Sequence, residues 1–468
     1  MSEEQSKPMF LDQRKPRPFE LFLSEDVDLI RYYEELLKGS RNMSEMAEWF
    51  LRNSVRRQPG IVLASLIATS SLMLGRGLKL MRKEANVYCL VLSGTSTGKN
   101  AIFELSKVIL KAAGKELCIG ADSIVSGEGL MNEIKSSPEI LWPLDEIQDL
   151  IKNISTSKAA SYSVNVSKYL KQLFTTNANF RDRVLGSEKE IDRTTLPKVY
   201  PVIMAAAQPS TFWGSINRNM IADGFIPRFL IFTGDEEVLI DTNQLLRDHL
   251  YGKPNDPPPA SVIELFKAWT TRRFKDETLM TMCNIGDIPQ VKLEGDIAVM
   301  DEFTQVMTDL DAAIRKQAKD NMMLAELLGK NTEYLSKLSM IHAWIRSPME
   351  PRLELEDIKW AVNVIRASNT LLRRGIKDHA PVNDFEKNIN HVLQALLASP
   401  EGLTKAEVQA RTRHISNKGL EDVFKKLYDM GEVSMVERRG EGRGRPTKIF
   451  FHVKYHKQHQ PLQELENE

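Results

Sequence analysis

The chain has 468 residues, of which 42% are apolar and 27% charged, as in an ordinary soluble globular protein. This length is more than one compact core usually holds, so we expect roughly two to four domains. Basic and acidic side chains number 63 each, and the formal net charge is zero. Any contact with nucleic acid must therefore come from a local basic patch.

The three cysteines, Cys89, Cys118 and Cys283, show neither pairing nor metal-site spacing. This argues against a disulfide scaffold and against a zinc site. The polar N-terminus lacks the apolar core of a signal peptide. Residues 60–75 form the most apolar stretch, which is shorter than the ~20 residues of a bilayer span and predicts a buried helix. We expect a cytoplasmic protein with no membrane partner.

The order of predicted elements indicates an α/β fold. Residues 1–20 read as a disordered N-terminus and residues 21–84 as an N-terminal helical region. Short apolar runs at 87–92, 139–144, 199–207 and 229–233 then alternate with helical patterns across a core at 85–252. Such alternation predicts a mainly parallel sheet with helices on its faces. A proline-rich link precedes a second helical region at 260–376.

A phosphate-binding motif lies between the first apolar run and the following helix. Its residues are Ser93, Gly94, Thr95, Ser96, Thr97, Gly98, Lys99 and Asn100. The glycines let the backbone approach an anion closely, Lys99 can reach the β- and γ-phosphates, and the helix N-terminus adds positive charge. Ser93 replaces the usual first glycine, and Asn100 replaces the usual hydroxyl residue. The alternative is a polar turn that binds no ligand.

Two acids end the second apolar run. Asp145 is a candidate Mg²⁺ ligand, together with Asn100, and Glu146 is a candidate base or positioner for the attacking water. ATP and Mg²⁺ are therefore the expected ligands. The alternative for the two acids is a solvated strand end.

Two further polar residues flank the later strands. Gln208 follows the third run, where its amide can touch the γ-phosphate or the water, unless it only caps the next turn. Arg228 precedes the fourth run, where it can reach the nucleotide of a neighbouring subunit and stabilise charge in phosphoryl transfer. The alternative for Arg228 is a surface residue in a local ion pair.

This order of motifs resembles the phage- and plasmid-encoded P-loop ATPases linked to primases and, more distantly, the MCM and superfamily 3 replicative helicases. The resemblance implies a P-loop NTPase core of RecA/AAA+ type, a hexamer and an arginine finger at Arg228. It also implies an α-helical lid over 260–376 with a second sensor at Lys330, for which Lys337 is the alternative. A hairpin that contacts single-stranded DNA in a central pore would carry Arg183 and Lys189. The alternative for this hairpin is a solvated loop of mixed charge.

The C-terminal residues 384–455 read as three helices and a β-ribbon, which predicts a winged helix, followed by a flexible tail at 456–468. Residues 403–459 contain thirteen basic and seven acidic side chains, an excess suited to a DNA backbone. The helix at 417–430 would enter duplex DNA. The candidate contacts are Lys418, Lys425, Arg438, Arg439, Arg443 and Arg445. The alternative is a protein-binding module.

The sequence therefore predicts an ATP-dependent hexameric DNA helicase or replication-initiator ATPase of a phage, plasmid or other mobile element. It would hydrolyse ATP between subunits, translocate on DNA and work with a primase or another replication protein. Two alternatives remain open. One is a DNA-binding ATPase that does not translocate, such as a helicase loader or partition switch. The other is a DNA-binding regulator with a degenerate P-loop.

Overall fold

The central sheet is parallel, as the sequence predicted. In this computed structural model the strands up to residue 379 are β1 (Leu78–Lys79), β2 (Tyr88–Leu92), β3 (Glu139–Leu144), β4 (Phe180–Arg181), β5 (Thr195–Leu196), β6 (Tyr200–Ala207), β7 (Leu230–Thr233) and β8 (Val291–Lys292). Strands β3, β6, β2 and β7 lie side by side in that order, and all neighbours run parallel. Every residue of β2, β3 and β6 is buried, which explains the unbroken apolar runs in the sequence.

The structure describes residues 15–155, 161–175, 180–181, 195–196, 199–216, 218–242, 246, 256–273, 291–379, 384–438 and 447–458. Within these residues, each of the four predicted strands ends at the predicted residue and starts within one residue of the predicted start.

Helices cover the sheet. Up to residue 379 they are α1 (Leu29–Leu37), α2 (Arg41–Arg52), α3 (Pro59–Leu74), α4 (Lys99–Ala112), α5 (Gly127–Ser136), α6 (Ile147–Ser155), α7 (Ser161–Thr175), α8 (Pro209–Ser215), α9 (Arg218–Ala222), α10 (Ala260–Arg273), α11 (Ile297–Asp320), α12 (Met322–Leu327), α13 (Asn331–Arg346) and α14 (Leu355–His379). Local signals set several of their starts. The side chain of Asp28, for example, accepts hydrogen bonds from the first turn of α1, and Pro59 opens α3.

Helix α3 is the centre of the core. All sixteen of its residues are buried, because it packs against strands on one side and against α1, α2, α4 and α13 on the others. A helix that is apolar all round is expected at such a position. Among the described residues, the stretch Pro59–Gly77 alone is long and apolar enough to cross a membrane, and all of it is buried inside the fold. The predicted buried helix is therefore confirmed.

Both edges of the central sheet are covered. Beside β7, helix α14 presents the Ser368 hydroxyl, which accepts a hydrogen bond of 2.9 Å from the Ile231 N–H. Beside β3, Ile119 pairs with Leu141, and the Gly120 N–H donates to the Leu141 carbonyl at 2.8 Å. These contacts satisfy backbone groups that an open edge would leave exposed.

The described part of the N-terminus runs in extended form along α11 and α14. Arg17 forms ion pairs with Glu302 and Asp309, and the buried Leu23 donates its N–H to Thr370. Residues 15–20 fall within the stretch that composition predicted to be disordered. The structure gives them these contacts instead, which depend on partners about 290 residues away in sequence.

The chain divides into two compact units, residues 1–379 and residues 380–468. The first unit contains the three regions that the sequence separated at 21–84, 85–252 and 260–376. They share one core because α3, from the first region, packs against both β2 and α13.

Among its described residues, the second unit contains α15 (Asp384–Leu397), β9 (Leu403–Thr404), α16 (Lys405–Arg411), α17 (Asn417–Asp429), β10 (Val433–Arg438), β11 (Thr447–His452) and a 3-10 helix at Val453–Gln458. This last helix includes residues 456–458, which were predicted to begin a flexible tail. Its strands form an antiparallel sheet in the order β10, β11, β9. A capping box between Thr404 and Glu407 begins α16. The rings of Phe424 and Phe450 stack in the core at a centroid distance of 4.1 Å.

Candidate functional site

The loop between β2 and α4 is shaped by two left-handed residues. Ser96 has φ 64°, and Gly98, the N-cap of α4, has φ 87°. Because no side chain caps this helix, the N–H groups of its first turn remain available to a ligand. The backbone thus turns sharply and presents a helix N-terminus at the carboxyl edge of the sheet, an arrangement suited to an anion.

The serine at the first motif position has a structural role. Ser93 is fully buried, and its hydroxyl donates to Thr97 Oγ1 at 2.7 Å. Thr97 Oγ1 in turn donates to the Gly94 carbonyl at 3.1 Å. This chain of hydrogen bonds closes the loop from within. The departure from glycine at position 93 is therefore compatible with a formed loop.

The motif lysine meets the first of the two acids. Lys99 Nζ lies 3.3 Å from Asp145 Oδ1, and the two side chains are 14% and 37% exposed. Asp145 directly follows β3, whereas Lys99 begins α4 after β2, and β6 lies between these strands. The lysine therefore reaches across the end of β6, and the sequence prediction that these two residues share one site agrees with this distance.

Glu146 is held in an unusual backbone conformation. It is exposed and has φ 57°, a left-handed value that costs a residue with a Cβ about 1–2 kcal/mol. Asp145 Oδ1 accepts the Glu146 N–H at 3.0 Å, and the Glu146 carbonyl accepts the Asp149 N–H at 3.0 Å. Such strain is commonly concentrated at functional sites.

Gln208 lies beside the loop, because Ala207, the residue before it, pairs with Leu92 at the end of β2. It occupies the N-cap position of α8, but its side chain makes no capping hydrogen bond. Its amide is partly exposed at the edge that carries Lys99 and Asp145. The capping alternative for Gln208 is thus disfavoured.

The same edge has ligands suited to Mg²⁺. This ion prefers oxygen ligands, often one or two protein groups together with phosphate oxygens and waters. The Asp145 carboxylate and the exposed Asn100 amide, in the first turn of α4, fit that donor set.

Arg228 lies at the opposite, amino edge of the sheet, just before β7. It is half-buried, and its Nη1 donates to the Gly224 carbonyl. Its Cζ lies 5.9 Å from the centre of the Phe174 ring. Its Nε is buried and has no hydrogen-bond partner among the described residues. Burial lowers the pKa of the Arg228 guanidinium from its ordinary value, which a nearby anion would counteract.

The two lysines considered as a second sensor also lie at the amino edge. Lys330 Nζ donates to Glu333 Oε2 at 3.1 Å and is partly exposed. Lys337 is 1% exposed, and its ammonium donates to Asn86 Oδ1 at 2.7 Å and to two backbone carbonyls. With its three donors used inside the core, Lys337 serves the structure, and Lys330 alone is accessible to a ligand.

Charges at this edge are strongly coupled. Burial acts to raise the pKa of Glu333, but Lys337, Lys330 and Lys83 outweigh it, and the net effect is a lowered pKa. Burial lowers the pKa of Lys337 from 10.5 to about 8. Together with Arg228, these side chains place several cations at the amino edge, where more than one carboxylate acts on them.

The predicted DNA contacts are only partly within the described residues. Arg183, Lys189, Arg439, Arg443 and Arg445 lie outside them. Strands β4 and β5, on either side of residues 182–194, pair antiparallel and thus form the stem of a hairpin. In the second unit, Lys418 and Lys425 are exposed on α17, and Arg438 is the last residue of β10.

A residue that the sequence did not single out completes the site. Gln58, fully buried just before α3, donates its amide to the Thr97 carbonyl at 3.0 Å and to the Asp235 carbonyl at 2.8 Å. In the sequence, Gln58 stands before a proline at the start of a helix, a position that suggests a turn. Nothing in that position indicates a contact with a loop 39 residues later.

No protein-family model matches this chain, and no curated protein matches it either.

The low pKa of Lys337 predicts a characteristic dependence of stability on pH. Between about pH 8 and 10.5, the unfolded chain keeps a proton that the folded chain has released, so the free energy of unfolding should rise with pH from this group. The variant Lys337→Met lacks this contribution. The stability difference, wild type minus variant, should therefore increase by about 1–3 kcal/mol over that range in urea titrations. A stability difference that stays flat or falls over this range would contradict the lowered pKa of Lys337. The control is Lys111→Met, which alters an exposed lysine of α4 and should show no such change with pH.

Proposed function

We propose that this chain is a magnesium-dependent P-loop ATPase that acts on DNA as a homo-oligomer. One observation carries the proposal: Lys99 Nζ lies 3.3 Å from Asp145 Oδ1, beside a loop that contains two residues in left-handed backbone conformations and leads into a helix. A cation, a carboxylate and free N–H groups at one sheet edge form the set of contacts that a metal-bound triphosphate requires. A polar turn without a ligand would not need this convergence.

In the proposed mechanism, the loop and the first turn of α4 hold the phosphates through backbone N–H groups, and Lys99 contacts the β- and γ-phosphates. Asp145 and Asn100 would hold Mg²⁺, which supplies charge neutralisation to the phosphates when bound. Glu146 orients a water and accepts its proton as the oxygen attacks the γ-phosphorus. The bond to the β–γ bridging oxygen breaks, and ADP and phosphate leave. Gln208 would touch the same water or phosphate.

The position of Arg228 supports catalysis between subunits. Roughly 13 Å of strand separates the amino edge, where Arg228 lies, from the edge that carries Lys99. Arg228 is thus distant from the nucleotide site of its own chain, and the nucleotide it would reach is one held by a neighbouring subunit. Contacts between unlike faces build a ring when the rotation closes. A hexamer is the ring size that the resemblance implies, with Lys330 as a further candidate at the same edge.

The second unit and the hairpin support a role on DNA. Three helices against a three-stranded antiparallel sheet are typical of a winged helix, with α17 as the candidate recognition helix. The β4–β5 stem would carry Arg183 and Lys189 at its connection. We therefore propose a hexameric DNA helicase or replication-initiator ATPase of a mobile element. It would be a cytoplasmic protein that moves on single-stranded DNA beside a primase or another replication protein.

A helicase loader or partition-type switch is the second candidate, and the half-buried state of Arg228 favours it. An arginine already bonded to its own chain must move before it can reach a neighbour, as in a switch that assembles only with nucleotide. Unwinding of a forked duplex with ATP separates the two, because a loader would hydrolyse ATP on DNA without separating the strands.

Substitutions of Lys99 and Glu146 should have different effects. Lys99→Ala should weaken Mg·ATP binding by about 100-fold and abolish hydrolysis, because the phosphates lose their cation. Glu146→Gln should bind Mg·ATP nearly as wild type but hydrolyse it about 100- to 10,000-fold more slowly, because no base accepts the proton of the water. Calorimetry and phosphate release measure the two effects.

A matched control for Lys99 is Lys111→Ala, which removes an exposed lysine from the same helix and should leave binding and hydrolysis unchanged. Wild-type protein that gives no heat with Mg·ATP would refute the ATPase proposal. A Glu146→Gln enzyme with the wild-type rate would refute the role of that carboxylate alone.

Mixed oligomers test Arg228. Lys99→Ala and Arg228→Ala proteins should each be inactive, but an equal mixture should regain about a quarter of the wild-type interfaces, because an intact lysine then faces an intact arginine from the next subunit. ATP hydrolysis is measured across mixing ratios, and mixing Arg228→Ala with itself is the blank. No recovery at any ratio would argue against action between subunits.

The DNA role predicts a salt effect on α17. Replacing both Lys418 and Lys425 with alanine should reduce the slope of log affinity for duplex DNA against log salt by about 2, since each lysine that contacts a phosphate contributes roughly 0.9. Fluorescence anisotropy at several salt concentrations measures the slope. The control Lys38→Ala alters an exposed lysine just after α1 and should not change the slope. An unchanged slope for the double variant would place the DNA contacts elsewhere.

A further inference from the structure

Gln58 joins two segments that lie far apart in sequence. It is fully buried, and its side chain makes no capping bond to α3, although it stands at the N-cap position. Its Nε2 donates to the Thr97 carbonyl at 3.0 Å and to the Asp235 carbonyl at 2.8 Å, while its Oε1 accepts the Asp235 N–H at 2.7 Å. The amide therefore connects the phosphate loop to the segment that follows β7.

The orientation of this amide is fixed by its partners. The Asp235 N–H can only donate, so the oxygen of Gln58 must face it. The nitrogen then faces the two carbonyls, each of which can only accept. The hydrogen bond to Thr97 is buried and the two to Asp235 are partly buried. Losing the bond to Thr97 would leave a buried polar group without a partner, which is costly in a protein interior.

The contact with Thr97 also sets the direction of a loop N–H. In a trans peptide, the carbonyl of one residue and the N–H of the next point in opposite directions. When the Thr97 carbonyl points to Gln58, the Gly98 N–H must point away from it. Gly98 has φ 87°, in a region open to glycine, so this peptide could rotate if the carbonyl were not held.

The segment after β7 packs closely against this contact at Gly234. A Cβ on Gly234 would lie 2.5 Å from Ser93 Oγ and 3.1 Å from Gln58 Oε1. The hydrogen bonds of Ser93 and Thr97 hold the loop from its own side chains, and Gln58 holds it from a separate segment. The segment after β7 packs against both sets of contacts.

We propose that Gln58 is a positioning residue for the phosphate loop, holding the Thr97–Gly98 peptide so that the Gly98 N–H faces the phosphates of a bound nucleoside triphosphate. The inference rests on the proposed ATPase function and adds to it a residue outside the recognised motif. Gln58 acts through the loop and does not touch the reacting atoms.

Calorimetry with magnesium and the slowly hydrolysed analogue ATPγS tests this role. Gln58→Leu keeps the apolar bulk but loses all three hydrogen bonds, so the Kd should rise roughly 10-fold or more. The control is Ser71→Ala, which removes a buried hydrogen bond of 2.8 Å from the Ser71 hydroxyl to the Ala85 carbonyl, on the same helix but away from the loop. The control should lose stability while its Kd stays within about twofold of wild type.

Gln58→Glu adds a pH-dependent readout that a purely structural role would not give. At neutral pH its carboxylate faces two carbonyl oxygens, so binding should be weak. Burial and these oxygens raise the pKa of such a carboxyl group. On protonation the new O–H can donate to one carbonyl. The Kd of this variant relative to wild type should therefore fall as the pH is lowered from about 8 to about 5.5.

The outcomes separate this inference from the function on which it rests. Wild-type protein that does not bind the analogue overturns both. Wild-type binding together with unchanged Kd values in folded Gln58→Leu and Gln58→Glu overturns the role of Gln58 alone. If Gln58→Leu does not fold, the pH profile of Gln58→Glu decides the question, and a ratio to wild type that is independent of pH overturns the role.

Discussion

The contact between Lys99 and Asp145 is the interaction on which the candidate site depends. The two residues follow different strands, and a third strand, β6, lies between those strands. They meet because parallel strands end at one edge, so the residues after β2, β3 and β6 converge. The left-handed conformations of Ser96, Gly98 and Glu146 lie around this contact. The backbone energy spent there is consistent with a site whose geometry is under selection for binding rather than for stability alone.

Positive charge is divided between the two edges of the sheet. Lys99 stands at the carboxyl edge and is balanced by Asp145. Arg228 and Lys330 stand at the amino edge, where Glu333 forms an ion pair with Lys330 and is one of two nearby carboxylates that act to raise the pKa of Arg228. Within one chain, the length of the strands, roughly 13 Å, separates the two groups. Under the proposed function, each molecule would have one face with a triphosphate site and another with cations, and the two faces could associate head to tail.

The sequence was sufficient to predict the strands, because buried parallel strands appear as continuous apolar runs. It was also sufficient to predict that Lys99 and Asp145 lie together, because each residue follows soon after one of these runs. It was insufficient where partners are distant. Gln58 and Asp235 are separated by 177 residues, and no local pattern links them. The same limit applies to Arg17, whose ion pairs give structure to a segment that composition alone makes look disordered. The two-residue strand β9 is too short to produce a periodic signal.

The hydrogen bond from Ile231 to Ser368 has a consequence for how copies of this chain can meet. Helix α14 lies along β7, where another strand would otherwise be added, so the main sheet does not offer its β7 edge to a strand of another molecule. If copies associate as proposed, recognition on this side would use side chains at loops and helix ends rather than backbone pairing. Contacts of that kind can be made and broken as a ligand binds and leaves, whereas a shared sheet would join the molecules through backbone hydrogen bonds.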